Sequence, residues 1–178
     1  MELTDIAFWE KYWENCLLPC EVDPNSSFDK SLADALVDDD FSIGGDIFEI
    51  GCAPGKWLAF LGKHYSATPN GLEYTRAGMA ATMSNLSMLG IESGKFYSGD
   101  FFEIEPEQRF DVVMSFGFIE HFSDVDEVVK RHLAWLKPGG TLILGVPNFR
   151  GIYNFIQRVF DRDVLDKHNL DIMDLDYF

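Results

Sequence analysis

Short polar stretches that follow apolar runs place the chemically capable residues of this chain. Glu49-Ile50-Gly51-Cys52-Ala53-Pro54-Gly55 comes first, after Ile47 and Phe48. Gly71-Leu72-Glu73-Tyr74, Gly99-Asp100-Phe101, Ser115-Phe116-Gly117 and Glu120-His121 follow. Glycines on either side of a tight turn let backbone N–H groups face a crevice at a strand's carboxyl end, where open α/β sheets bind small ligands. Two nucleotide loops fit poorly. A dinucleotide fingerprint, G-x-G-x-x-G, would need glycines where Ala53 and Lys56 stand. A P-loop, G-x-x-x-x-G-K-[ST], is one residue longer than Gly51 to Lys56, and Trp57 occupies its hydroxyl position. Glu73, about 20 residues beyond the loop, stands where a carboxylate accepts both ribose hydroxyls; without the loop it would be a solvated strand-end residue. Asp100 can accept from an adenine amine, with Phe101 or Phe102 against the ring, or it forms an ordinary Gly-Asp turn. Gly117 lets the backbone approach a ligand. Glu120 and His121 are titratable groups at the crevice mouth.

To share a crevice, these residues must sit at the ends of neighbouring parallel strands. The sequence alternates such strands with helices. Ile47, Phe48 and Ile50 make a buried strand, and a helix over 56–64 follows the glycine loop. A strand over 69–74 leads to a helix capped by Thr75, running to Leu89 and stopped by Gly90. A short strand covers 95–98 and a continuous apolar one 110–115. A helix over 124–136 is closed by Pro138-Gly139-Gly140, and a last strand covers 141–146 before Pro147. Strands separated by helices of about 10–15 residues imply right-handed crossovers and a mostly parallel α/β sheet with helices on both faces. Ahead of the sheet, Ile6, Trp9, Trp13 and Leu17 recur at helical spacing over 5–17. The aromatic set Phe8, Trp9, Tyr12 and Trp13 makes this helix either a packed element or a lid over a flat, partly apolar ligand. A second helix covers 28–37. The reading is a single domain over 1–178, with a helical cap over 1–45, a binding core over 46–149 and a helical, acidic tail over 150–178.

A chain of 178 residues can bury a sizeable core. Its 30 acidic residues against 14 Lys and Arg give a net charge of −16. That balance argues against a nucleic-acid partner and against docking on anionic membranes. Asp38-Asp39-Asp40, Glu103 to Glu107 and the Asp-rich 161–176 read as solvated surface. Three cysteines, Cys16, Cys20 and Cys52, suit a reducing compartment, and Cys16-x-x-x-Cys20 lacks a second pair to complete a metal site. No metal-ligand spacing stands out. The opening is not leader-like, and no apolar run approaches membrane-spanning length, so the expectation is a cytoplasmic protein.

Taken in order, Glu49 to Gly55, Gly71-Leu72-Glu73, Gly99-Asp100, Phe110-Asp111-Val112-Val113 with Glu120-His121-Phe122, and Leu136-Lys137-Pro138-Gly139-Gly140 resemble the core of class I S-adenosylmethionine (SAM)-dependent methyltransferases, which have a Rossmann-like doubly wound fold. Within them the likeness is to bacterial small-molecule enzymes akin to the ubiquinone-biosynthesis O-methyltransferases. Ala53 departs from the usual Gly-x-Gly-x-Gly loop. The resemblance implies that Glu49, Gly51, Cys52 and Gly55 hold the methionine part of SAM. Glu73 would bind ribose with Tyr74 beside it, and Asp100 and Phe101 would bind adenine. Ser115, Phe116 and Gly117 would line the approach to the methyl group, and His121 would face the substrate. S-adenosyl-L-homocysteine would be the product. An acceptor hydroxyl must lose its proton, and His121, with an unperturbed pKa near neutrality, is the candidate base, oriented by Glu120; alternatively His121 packs or caps the next helix and Glu120 faces solvent. His64, His132 and His168 receive no role.

The family sheet ends in an antiparallel hairpin for which this chain has no room. The last strand would then be an exposed edge, and the expectation is a fragment or truncated product; the alternatives are that the tail covers the edge or that a second copy does, in a homodimer. Tyr153, Phe155, Ile156, Val159 and Phe160, in a helix expected over 149–160, are too apolar to be bare, which makes the segment 151–178 a candidate part of a substrate lid. The alternatives to an enzyme acting on a small molecule are a non-catalytic SAM- or nucleotide-binding module and an NAD-linked oxidoreductase.

Overall fold

Ile47 and Phe48 are adjacent in sequence and lie on opposite faces of a sheet, because successive side chains of a strand alternate. In the computed structural model, which describes residues 4–37, 43, 45–149, 165 and 168–174, both are fully buried. Ile47 joins Val112 and Met114 in one apolar layer. Phe48 and Ile50 join Leu72, Phe110 and Val113 in the other.

The strands are β1 (Asp46–Ile50), β2 (Thr68–Glu73), β3 (Phe96–Ser98), β4 (Phe110–Phe116) and β5 (Leu136–Gly145). All described pairings are parallel, in the order β3-β2-β1-β4-β5. The helices are α1 (Ile6–Glu14), α2 (Ser27–Leu36), α3 (Lys56–Tyr65), α4 (Arg76–Met88) and α5 (Val125–Ala134). Leu36 of α2, Trp57, Leu58 and Leu61 of α3 and Leu86 of α4 cover the Ile47 layer. Val125 and Val128 of α5, with Trp135, cover the Phe48 layer. There Phe48 stacks between Phe110, at 4.4 Å, and Trp135, at 4.5 Å. The expected doubly wound α/β fold is borne out. Strand order reverses between β1 and β4, and this switch opens a crevice at the strands' carboxyl ends. No helix among the described residues is long and apolar enough to cross a membrane.

The structure departs from the sequence reading at β5. The pattern Pro138-Gly139-Gly140 reads as a helix stop with the strand starting at Thr141, yet β5 begins at Leu136. Phe110 N–H donates to Trp135 O (2.8 Å) and Phe110 pairs with Leu136. Val112 then pairs with Thr141, so the intervening residues bulge outward through Gly139 at φ +79°. A Pro in this strand is tolerated because β5 is the edge of the described sheet. A 3₁₀ turn at Ile119–His121 was also not expected.

The expected helix over 149–160, with Tyr153, Phe155, Ile156, Val159 and Phe160, and the run Asp38 to Asp40 lie outside the described residues, apart from Phe149. Among the described residues the tail returns to the core. A 3₁₀ turn at Asp171–Met173 buries Ile172 and Met173. Asn169 fastens it, donating its N–H to Glu120 O (2.6 Å) and its Nδ2 to Phe122 O (3.2 Å).

Candidate active site

The loop between β1 and α3 is shaped by its glycines. Gly51 sits at φ +69°, and its N–H donates to Leu72 O at 2.9 Å. A Cβ there would stand 2.7 Å from Phe118 Cδ2, so backbone conformation and packing both exclude a side chain. Cys52 turns inward: a Cβ on Gly71 would meet its Sγ at 2.7 Å. Burial, then the Glu73 and Glu49 charges, pushes the Cys52 thiol well above its usual range.

Beside this loop lies a cavity of about 200 Å³. Glu73, 4% exposed, forms part of its wall. Its Oε1 accepts from Thr75 N–H (2.9 Å) and Thr75 Oγ1 (2.6 Å), while Thr75 Oγ1 caps α4 by accepting from Gly78 N–H at 3.1 Å. Burial raises the Glu73 carboxyl above the usual range, against these hydrogen bonds. Asp100 lies on the same cavity, and its Oδ1 accepts from Phe102 N–H (2.8 Å), so it is both a turn residue and a wall residue. Phe101, Tyr74, Phe116, Gly117 and His121 also line it. Trp9, Tyr12 and Trp13 of α1 complete its lining, which favours the lid over the purely packed helix. Glu10 holds that lid in place, its two carboxylate oxygens accepting from Arg76 N–H (2.9 Å) and Ala77 N–H (3.2 Å) at the start of α4. A carboxylate suits this position, where N–H groups lack helical partners.

A second, wider cavity of about 960 Å³ shares Tyr12, Trp13, Gly51, Ala53 and Phe116 with the first. Glu49, Cys52, Lys56 and Trp57 line it further in. Glu49 is 4% exposed, and its Oε2 has no hydrogen-bond partner among the described residues. Burial, and next the charge of Glu73, holds the Glu49 carboxyl well above its usual range. Lys56 Nζ pairs with Asp29 Oδ1 at 2.8 Å.

The structure thus brings Glu49, Gly51, Cys52, Glu73, Tyr74, Asp100, Phe101, Phe116, Gly117 and His121 onto two joined cavities. Gly55, Ser115 and Glu120 line neither. Gly55, at φ +81°, starts α3 and packs toward Thr82. Ser115 faces the α5 layer, its Oγ 3.0 Å from His132 Nε2. His132 Nδ1 lies 2.8 Å from Val128 O. The neutral tautomer that satisfies both donates from Nδ1 and accepts the serine hydroxyl at Nε2. Burial depresses the His132 pKa to about 4. Glu120 is 1% exposed beneath Gly117, and burial raises its carboxyl to about 7. His121 packs edge-on to Trp9, with ring centroids 5.1 Å apart, and lies 4.6 Å from the ring of His168.

Sequence reasoning missed Lys56 and Phe118 as site residues and His168 as a neighbour of His121. It also missed the inward turn of Ser115, although the signal was present: Ser115 shares its strand face with Val113.

A family model described as "Methyltransferase domain" matches residues 28–171. The chain belongs to this methyltransferase family. Methyltransferase GfsG of Streptomyces halstedii is 25% identical over 143 residues, 79% of this chain and 50% of that protein. The ubiquinone biosynthesis O-methyltransferase of Bradyrhizobium diazoefficiens is 30% identical over 104 residues, 57% of this chain and 40% of that protein. The chain therefore spans about half the length, or less, of these relatives. Among solved structures, a SAM-dependent methyltransferase from Thiobacillus denitrificans in complex with S-adenosyl-L-homocysteine superposes with a TM-score of 0.56 at 17% identity, over 80% of this chain and 56% of that one. Its likeness to this methyltransferase chain is one of fold, and the class I resemblance read from the motifs is borne out.

Proposed function

We propose that this chain is the cofactor-binding part of a SAM-dependent methyltransferase acting on a small-molecule acceptor through a hydroxyl group, in the cytoplasm. The carrying observation is that Glu73, Asp100 and the Gly51 loop line one cavity beneath an aromatic lid. The residues suit the cofactor. Glu73 is poised to accept from ribose hydroxyls, Asp100 from the adenine amine, and Phe101 offers an apolar wall. The unpartnered oxygen of Glu49 suits a cationic amino group next to the bare Gly51 backbone. SAM supplies a methyl group on a sulfonium, and S-adenosyl-L-homocysteine is its leaving group. The protein's work is to position the acceptor and exclude water, which Trp9, Tyr12 and Trp13 are placed to do. His121 lines the cavity where an acceptor proton would be taken up, and the relative named for ubiquinone O-methylation supports an oxygen acceptor. The edge of β5, unpaired among the described residues, is where a second copy would pair.

Isothermal titration with SAM, S-adenosyl-L-homocysteine and NAD tests the reading. Selective binding of the two adenosyl compounds is expected, weakened at least about tenfold, or about 1.4 kcal/mol, in Glu73→Ala. Binding of NAD alone would overturn it, and unchanged SAM affinity in Glu73→Ala would remove the ribose assignment.

A further inference from the structure

We propose that Glu120, His121 and His168 form a binding site for a divalent transition-metal ion of the zinc class, beside the aromatic-lidded cavity. One ligand atom from each residue lies within 4.8 Å of the other two. A tetrahedral zinc site with bonds of about 2.1 Å has edges of about 3.4 Å, so side-chain rotations that draw the donors together by up to about 1.4 Å supply three of its four corners. Nothing in the linear sequence announces the cluster, since His168 reaches it only through the returning tail.

Charge and burial point the same way. Glu120 is 1% exposed, and its Oε2 has no hydrogen-bond partner among the described residues. No described Lys or Arg pairs with it, and a buried carboxylate is costly without a counter-charge. A divalent cation supplies that charge on the spot. Two imidazoles and one carboxylate are a nitrogen-rich donor set that suits zinc, iron(II) or cobalt rather than magnesium or calcium, which take oxygen ligands. The segment carrying His168 is fixed to the turn carrying Glu120 and His121 by both Asn169 hydrogen bonds, at 2.6 and 3.2 Å. Trp9 lies against His121, and Phe149 against His168 with centroids 5.0 Å apart. Such packing orients ligands and lowers the local dielectric.

His121 also lines the cavity, so a coordination position left open beside it faces the acceptor. Resting on the function proposed above, the ion would bind an acceptor hydroxyl and lower its pKa, the released proton passing to bulk water at the cavity mouth. A ligating nitrogen is not a free base, so metal binding and proton uptake by His121 are alternatives.

The purified chain, stripped with chelator and shown to be folded by circular dichroism, is titrated with Zn²⁺ by calorimetry and with Co²⁺ by visible absorption. One equivalent is expected to bind, with a cobalt ligand-field band saturating at the same point. His168→Ala and Glu120→Gln should each weaken binding by more than about 10–100-fold, the cost of losing a partner one shell further out. No stoichiometric binding by the folded chain, or affinity unchanged in both variants, overturns the proposal. Titrating the same stripped sample with SAM separates the two readings: cofactor binding without metal binding sinks the metal site alone, and metal binding without cofactor binding sinks the function.

Discussion

His132 shows how one side chain's surroundings set a property of the whole chain. It is fully buried, satisfied at Nδ1 by Val128 O and at Nε2 by Ser115 Oγ, and flanked by Phe101 and Phe118. Burial lowers the ring's pKa to about 4 from the ordinary 6.5, against the Val128 carbonyl, which favours the charged form. The unfolded chain therefore binds a proton in that window and the folded chain does not. Stability from this site is complete above pH 6.5 and is lost as pH falls toward 4. Glu120, raised to about 7, slopes the other way, so the effect is read as a difference between proteins. Between pH 7 and pH 5, urea unfolding should show the wild type losing about 2 kcal/mol more than His132→Asn. Parallel pH profiles for the two proteins would show that His132 titrates normally. Glu73 and Asp100 were legible from sequence because strand ends converge in any doubly wound sheet. The inward face of Ser115 was legible in its alternation with Val113, whereas its partner His132 was not, because His132 sits on a helix whose facing depends on packing.

At the scale of elements, α4 anchors the helical cap at two points. Its first N–H groups hold Glu10 of α1. Further along, Asn85 clamps the connection between α1 and α2: its Oδ1 accepts from Cys20 N–H (2.7 Å) and its Nδ2 donates to Cys20 O (2.9 Å). Asn85 is fully buried, so Asn85→Ala removes two hydrogen bonds and leaves the Cys20 backbone groups without these partners. Urea denaturation should report a loss of about 2 kcal/mol. A change below about 0.5 kcal/mol would mean that water replaces the side chain at no cost. The alternation of strands and helices was legible from period and punctuation. The start of β5 was not, because Pro138-Gly139-Gly140 carries the same stop signal whether it ends a helix or bulges an edge strand, and only the pairing of Phe110 with Leu136 decides between them.

The whole molecule carries a net charge of −16. Like charges on a folded surface repel, and compaction brings them closer, so screening should favour the folded state. Raising NaCl from about 0.01 M to about 0.15 M, which shortens the Debye length from about 30 to about 8 Å, should raise the melting temperature by about 2–4 °C if it contributes about 1 kcal/mol. A melting temperature that falls with salt would show that local ion pairs such as Lys56–Asp29 outweigh the net repulsion. Composition announced this charge, and the apolar tail suggested a lid over 151–178, whereas its contacts through His168 and Asn169 join distant segments with no spacing to mark them. The Asn169 contact also sets an order of events in time. Chains emerge from the ribosome amino end first, and early segments begin to fold while later ones are still being made. Every described strand of the sheet is complete by Gly145, but the backbone of Glu120 meets Asn169 only after that residue has been added. A nascent chain can therefore own these strands before it owns a finished cavity mouth, and the capacity to hold a ligand firmly comes later than the sheet that carries it.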